Sequence, residues 1–122
     1  TAGTAWINST LSCLQVALVP LLARNDSCAS IKRFAFQTHP TCYTGGGASP
    51  TEPSICKLPL HDWRCVIETV DLRDEASALG LQQEARVAEI CLEQWAESNS
   101  GACDADERCR HWRRLAGQHE FR

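Results

Sequence analysis

Eight cysteines stand at Cys13, Cys28, Cys42, Cys56, Cys65, Cys91, Cys103 and Cys109 in a chain of 122 residues. Thiols at this density either hold a metal or pair as disulfides. Structural zinc needs close pairs such as C-x-x-C. The successive gaps here are 15, 14, 14, 9, 26, 12 and 6 residues, and no C-x-x-C occurs. An even count spread along the chain therefore reads as a disulfide framework made in an oxidising compartment. Two N-glycosylation sequons agree with secretion: Asn8-Ser9-Thr10 and Asn25-Asp26-Ser27. No leader-like segment opens the chain, as expected of a mature secreted protein.

Other reactive patterns are sparse. There is no G-x-S-x-G, P-loop or H-E-x-x-H motif. The run Gly45-Gly46-Gly47 has no Lys-Ser/Thr after it to cradle phosphate. His61-Asp62 lies at the start of a predicted helix, where such a pair most often caps or faces solvent. The last fifteen residues hold Arg108, Arg110, Arg113, Arg114 and Arg122 with His111 and His119. They make a local basic face that could meet heparin, phosphate or an acidic partner, or simply be solvated. With a net charge of −3, the chain as a whole offers no field for nucleic acid. No cofactor or metal is expected from these patterns.

The elements that must position these residues are helical. Ala5–Ala23 carries Trp6, Leu11, Leu14, Leu18 and Leu22 at steps of mostly three or four, the period of an amphipathic helix, with Pro20 to kink or end it. Its apolar run, Leu11–Ala23, is too short to span a bilayer, so no transmembrane segment is expected. Ser27–Thr38 is a second helix, stopped by His39-Pro40. Thr44–Pro53 is a surface loop. Helices follow over His61–Leu72 and Asp74–Ala96, the latter with Leu79, Ala85, Val87, Ile90, Cys91 and Trp95 in period. A last helix opens at Asp104 and carries Trp112 and Leu115 on its apolar side. No alternating run supports a strand. The expectation is an all-α fold, a small disulfide-rich bundle of about five helices in one domain over residues 1–122.

Part of the pattern resembles stanniocalcin, a family of secreted glycoprotein hormones. The similar stretches are Cys28-Ala-Ser-Ile-Lys-Arg33-Phe34 to Cys42-Tyr43, the Cys56 to Cys91 interval with Val66–Leu72 and Arg86 inside it, and Leu11-Ser12-Cys13. The match covers roughly Leu11 to Cys91. The family's N-terminal cysteine-rich section is missing, and Cys65, Cys103 and Cys109 have no clear counterparts. The resemblance implies Cys13–Cys42 and Cys56–Cys91 bridges. Loops of about 30 and 35 residues would then be closed, worth on the order of 3 to 4 kcal/mol each by loop entropy. The other four would pair among themselves, with Cys28–Cys65 and Cys103–Cys109 the expected arrangement. A disulfide-linked homodimer, typical of the family, would need an unpaired cysteine, against which the even count argues.

A second segment resembles secreted phospholipase A2. Tyr43-Thr-Gly45-Gly46-Gly47 precedes His61-Asp62 much as that family's glycine-rich calcium loop precedes its His-Asp pair. That resemblance implies His61 as general base on a water, with calcium held by Asp62 and the carbonyls of Gly45 and Gly47. The chain departs from the pattern in having Trp63 and Arg64 before Cys65, where the family has one residue. The extra residue turns Cys65 by about 100° around the helix.

The reading favoured on these grounds is a non-enzymatic secreted module that binds an extracellular protein or receptor. By the stanniocalcin resemblance, its role would be hormone-like signalling, mineral homeostasis or regulation of an extracellular protease. The alternatives are a calcium-dependent lipid hydrolase and a disulfide-rich structural subunit of an extracellular assembly.

Overall fold

The helical periods of the sequence become five α-helices, and no strand forms among the described residues of the computed structural model, which are 1–45, 52–69, 78–98 and 103–120. They are α1 (Ala2–Ala23), α2 (Cys28–Tyr43), α3 (Leu60–Thr69), α4 (Ala78–Ser98) and α5 (Glu107–Glu120). Short 3-10 turns, Ile55–Lys57 and Cys103–Ala105, lead into α3 and α5. The fold is a small disulfide-rich all-α bundle. α1 packs on α2, α2 on α4, and α4 on α5, while α3 touches both α1 and α5.

Local chemistry fixes the helix starts. Thr1 Oγ1 accepts from the Thr4 N–H at 3.1 Å, and Ser27 Oγ accepts from the Ser30 N–H at 3.2 Å. The Asp106 carboxylate accepts from the Arg108 N–H at 2.8 Å and caps α5. The last helix therefore opens at Glu107, not at Asp104, because Asp104 belongs to the preceding 3-10 turn.

Neither internal proline ends its helix. α1 runs through Pro20 and α2 runs through His39-Pro40 to Tyr43, which corrects the expected stop at Thr38. Each proline lies in the last turns and costs its helix one backbone bond to the carbonyl four residues back. Pro40 is buried, and its carbonyl accepts from both the Thr44 N–H (3.2 Å) and Thr44 Oγ1 (2.7 Å). Tertiary contact and the bond at Cys42 hold the extra turn. Of the other predicted ranges, residues 46–51, 70–72 and 74–77 lie outside the described residues.

Three disulfides form: Cys13–Cys42, Cys56–Cys91 and Cys103–Cys109, with Cα separations of 5.6, 4.9 and 5.2 Å. The first joins α1 to α2, the second joins the 3-10 turn before α3 to α4, and the third closes the turn into α5. Cys28 and Cys65 are not paired; both are exposed free thiols. The expected Cys28–Cys65 bridge is thus overturned. Cys28 begins α2 and Cys65 lies within α3, helices that are not among the packed pairs.

The core is Trp6, Ile55, Leu58, Trp63, Val87, Ala88, Cys91 and Trp112, with Tyr43, Val66, Ile67, Leu92 and Leu115 packed around it. α1 enters it by part of the expected stripe, with Trp6 buried and Leu14 and Leu18 half-buried. Its buried residues are Trp6, Thr10 and Leu21, whereas Leu11 and Leu22 are 54% and 64% exposed. Spacing alone favoured the leucine stripe. The bond at Cys13 and the Trp6 Nε1–H donating to the Tyr43 carbonyl (2.9 Å) fix the rotation that leaves Leu11 and Leu22 outside. The helix as formed has 22 residues and a mean hydropathy of 1.5 in its most apolar window. By length and composition alone it could cross a membrane, which corrects the estimate made from Leu11–Ala23.

Candidate functional site

A groove of about 790 Å³ lies between α3 and α5. Trp63 and Ile67 supply its apolar lining, with Arg64 and Glu68 from α3 and Asp104, Glu107, Arg110, Arg113 and Arg114 from the α5 side. Residues 110, 113 and 114 fall three and four apart, so one helix face carries all three guanidiniums.

The bottom of this groove is rigid. Trp63 stands edge-on to Trp112 with centroids 5.9 Å apart, and His111 contacts both rings. Arg108 ties the surroundings together. It donates to the Leu58 carbonyl at 2.8 Å, grips Asp106 at 2.8 Å and lies over the Trp95 ring. Its guanidinium holds the Asp106 carboxyl below the ordinary value, chiefly through their hydrogen bond. Burial pushes the His111 imidazole below its ordinary value, and the nearby Arg114 charge adds to this.

The rim is charged and partly self-neutralised. Arg64 meets Glu107 with two parallel bonds, 2.7 and 3.1 Å, which hold the Glu107 carboxyl low and raise the guanidinium. Arg113 pairs with Asp104 at 2.9 Å. Arg110 donates to the Asp104 backbone carbonyl, and Arg114 approaches only His111 Nδ1, at 3.4 Å. Among the described residues, these two guanidiniums have no carboxylate ion-pair partner. The Trp63 indole N–H is buried and has no acceptor among the described residues. Two guanidiniums without a carboxylate ion pair, beside the Trp63 and Ile67 lining, suit a ligand that brings carboxylates with an apolar body.

The sequence found the α5 part of this groove through its arginine cluster. It missed Arg64, Trp63 and Glu107, which join the cluster only because α3 packs across α5. The spacing of Trp63, Val66, Ile67 and Val70 marks the packed face, so Trp63 was legible as core but not as lining.

The other candidates disperse. His61 is exposed at the start of α3. Asp62 accepts the Gly3 N–H at 3.1 Å and joins the first turn of α1 to that of α3. Gly45 takes a positive φ of 93° as the chain leaves α2 and packs near Glu52 and Pro53. Gly47 lies outside the described residues. Among the described residues no group of three His, Cys, Asp or Glu side chains could hold a metal ion. Asn8 and Asn25 are both exposed, the first on α1 and the second at φ 58° in the turn after it.

A smaller groove of about 380 Å³ separates α2 from α4, with Arg33 and Arg86 beside Phe36, Pro40 and Leu79. Arg86 is committed to Glu89 at 3.1 Å. Comparison with protein-family models, with curated proteins and with solved structures finds no match.

Proposed function

We propose that this chain is a secreted, stanniocalcin-like module that acts by binding an extracellular protein through the α3–α5 groove. The observation that carries the reading is one groove in which Arg110 and Arg114, neither ion-paired to a carboxylate among the described residues, stand beside the apolar lining of Trp63 and Ile67. Such a groove fits a peptide segment with an apolar side chain flanked by carboxylates, the guanidiniums taking the charges. Three disulfides support an oxidising, extracellular setting. A uniform polyanion is less suited, because Glu68, Glu107 and Asp104 also line the groove.

The test is selection of a random peptide library on the immobilised protein. Selected peptides should carry Asp or Glu beside an apolar residue, and Arg110→Glu/Arg114→Glu should weaken them at least tenfold. A selected pool without acidic residues, or one indifferent to both charge reversals, overturns the proposal. So would calcium-dependent hydrolysis of phospholipid vesicles that His61→Ala abolishes. Asp62 supports the binding reading over hydrolysis, since its carboxylate serves as an interhelix acceptor for Gly3.

A further inference from the structure

The outer face of α1 leaves Ile7, Leu11, Val16, Val19 and Leu22 between 47% and 69% exposed. Scattered surface leucines need no explanation, but five large apolar side chains on one helix form a patch that requires a cover. At about 100° per residue, these five positions span roughly half the circumference of the helix. Asn8 falls near the midline of that arc, at its N-terminal end. Asn25 stands exposed in the turn three residues beyond Leu22. The two sequon asparagines therefore stand near the two ends of the patch. Neither side-chain amide has a hydrogen-bond partner among the described residues.

Thr10 supplies an independent observation. Its side chain points into the protein at 5% exposure, and its hydroxyl is buried with no partner among the described residues. A buried unpaired hydroxyl is destabilising, and a valine of the same shape would avoid the penalty. Nothing in the packing calls for an oxygen there. The N-glycosylation motif does, because it requires Ser or Thr two positions after the asparagine. Ser27, the matching residue of the second sequon, differs in having a structural task, the cap of α2.

We infer that N-linked glycans on Asn8 and Asn25 are the cover of the α1 apolar face. This rests on the secretory setting of the proposed function but not on its groove. The oligosaccharide is attached to the extended chain, before Thr10 is buried. Folding then lays each glycan beside the apolar stripe, where the sugars' less polar faces shield it from self-association and from lipid.

The experiment uses the full chain secreted from a glycosylating eukaryotic host. Intact mass and peptide mapping should show both asparagines occupied, and the protein should be monomeric and silent to an apolar-surface dye. Enzymatic removal of the glycans should raise dye fluorescence several-fold and induce self-association or binding to phosphatidylcholine vesicles. Thr10→Val should lose the Asn8 glycan alone, and Thr10→Ser should keep it. After enzymatic deglycosylation, Thr10→Val should melt no lower than the wild type, which separates loss of the motif from loss of fold. An unoccupied Asn8 in the secreted wild type overturns the inference. So does a deglycosylated chain that stays monomeric and dye-silent, or a fully glycosylated chain that already dimerises or binds vesicles through α1. Occupancy is read without reference to Arg110 or Arg114, so failure of the groove proposal leaves this result intact, and the reverse holds.

Discussion

The α3–α5 end and the α1–α2 hairpin are built from the same element on opposite terms. At the α3–α5 end, Trp63 and Trp112 are each 3% exposed and lock edge to face, with Arg108 joining Leu58, Trp95 and the cap of its own helix at Asp106. In the hairpin, α1 buries Trp6, Thr10 and Leu21 and leaves five other large apolar side chains in solvent. Aromatic interlock carries the first region, and a disulfide with one indole hydrogen bond carries the second. Hydrophobicity per residue is higher in α1, yet burial is better at α5. Composition alone does not say which helix holds the core.

The sharpest test of the contrast is matched truncation. Trp112→Ala should cost about 3–5 kcal/mol of stability in denaturant unfolding, whereas Leu22→Ala on the outer face of α1 should stay within about 0.5 kcal/mol. Equal losses would erase the distinction. Next in size are the staples. Replacing Cys13 and Cys42 with Ala should cost about 3.5 kcal/mol, against about 2 kcal/mol for Cys103 and Cys109, because the second loop is far shorter. The second pair should nevertheless be the one that weakens peptide binding, since it sets the turn carrying Asp104 into the groove.

Acid should strike the aromatic end first. His111 is held below its ordinary value by burial, so the unfolded chain binds the proton more readily. Stability should be complete above the ordinary imidazole range, near pH 6.5, and should fall as pH drops below it. Asp106, held low by Arg108, adds a second loss as pH falls below the ordinary aspartate range. His111→Gln should remove the first slope and leave the second, as read from melting temperature against pH. The smallest effect belongs to the exposed Arg64–Glu107 pair. Arg64→Ala should move the melting temperature by no more than about 2 °C at moderate salt.

The sequence made the helical architecture legible through period and punctuation. The apolar side of α5 was read from Trp112 and Leu115, and both lie in or against the core. The rotation of α1 was only partly legible: Trp6 is buried and Leu14 and Leu18 half-buried as the period implied, but the period did not choose between Thr10 on one side of that stripe and Leu11 and Leu22 on the other. Only the bond from Cys13 to Cys42 and the Trp6 contact to Tyr43 choose between them. The end of α2 was misread for the same kind of reason: Pro40 breaks a helix by local rules, but its burial and the Thr44 cap outweigh them. The groove was half legible, since an arginine cluster shows in one segment while Arg64 and Trp63 arrive by tertiary packing. The expected Cys28–Cys65 bond came from pairing what remained, and leftover counting carries no geometry.

The Gly3–Asp62 contact has a consequence for the order in which the molecule is completed. The two residues are 59 positions apart, and Trp6 waits similarly for Tyr43, 37 positions later. A chain emerging from its N-terminus presents all of α1 before either acceptor has been synthesised. This helix is thus made well before it can be completed. It spends that interval as an apolar rod whose inner and outer faces are equally uncovered, and the arrival of α2 and α3 decides which one the protein keeps inside.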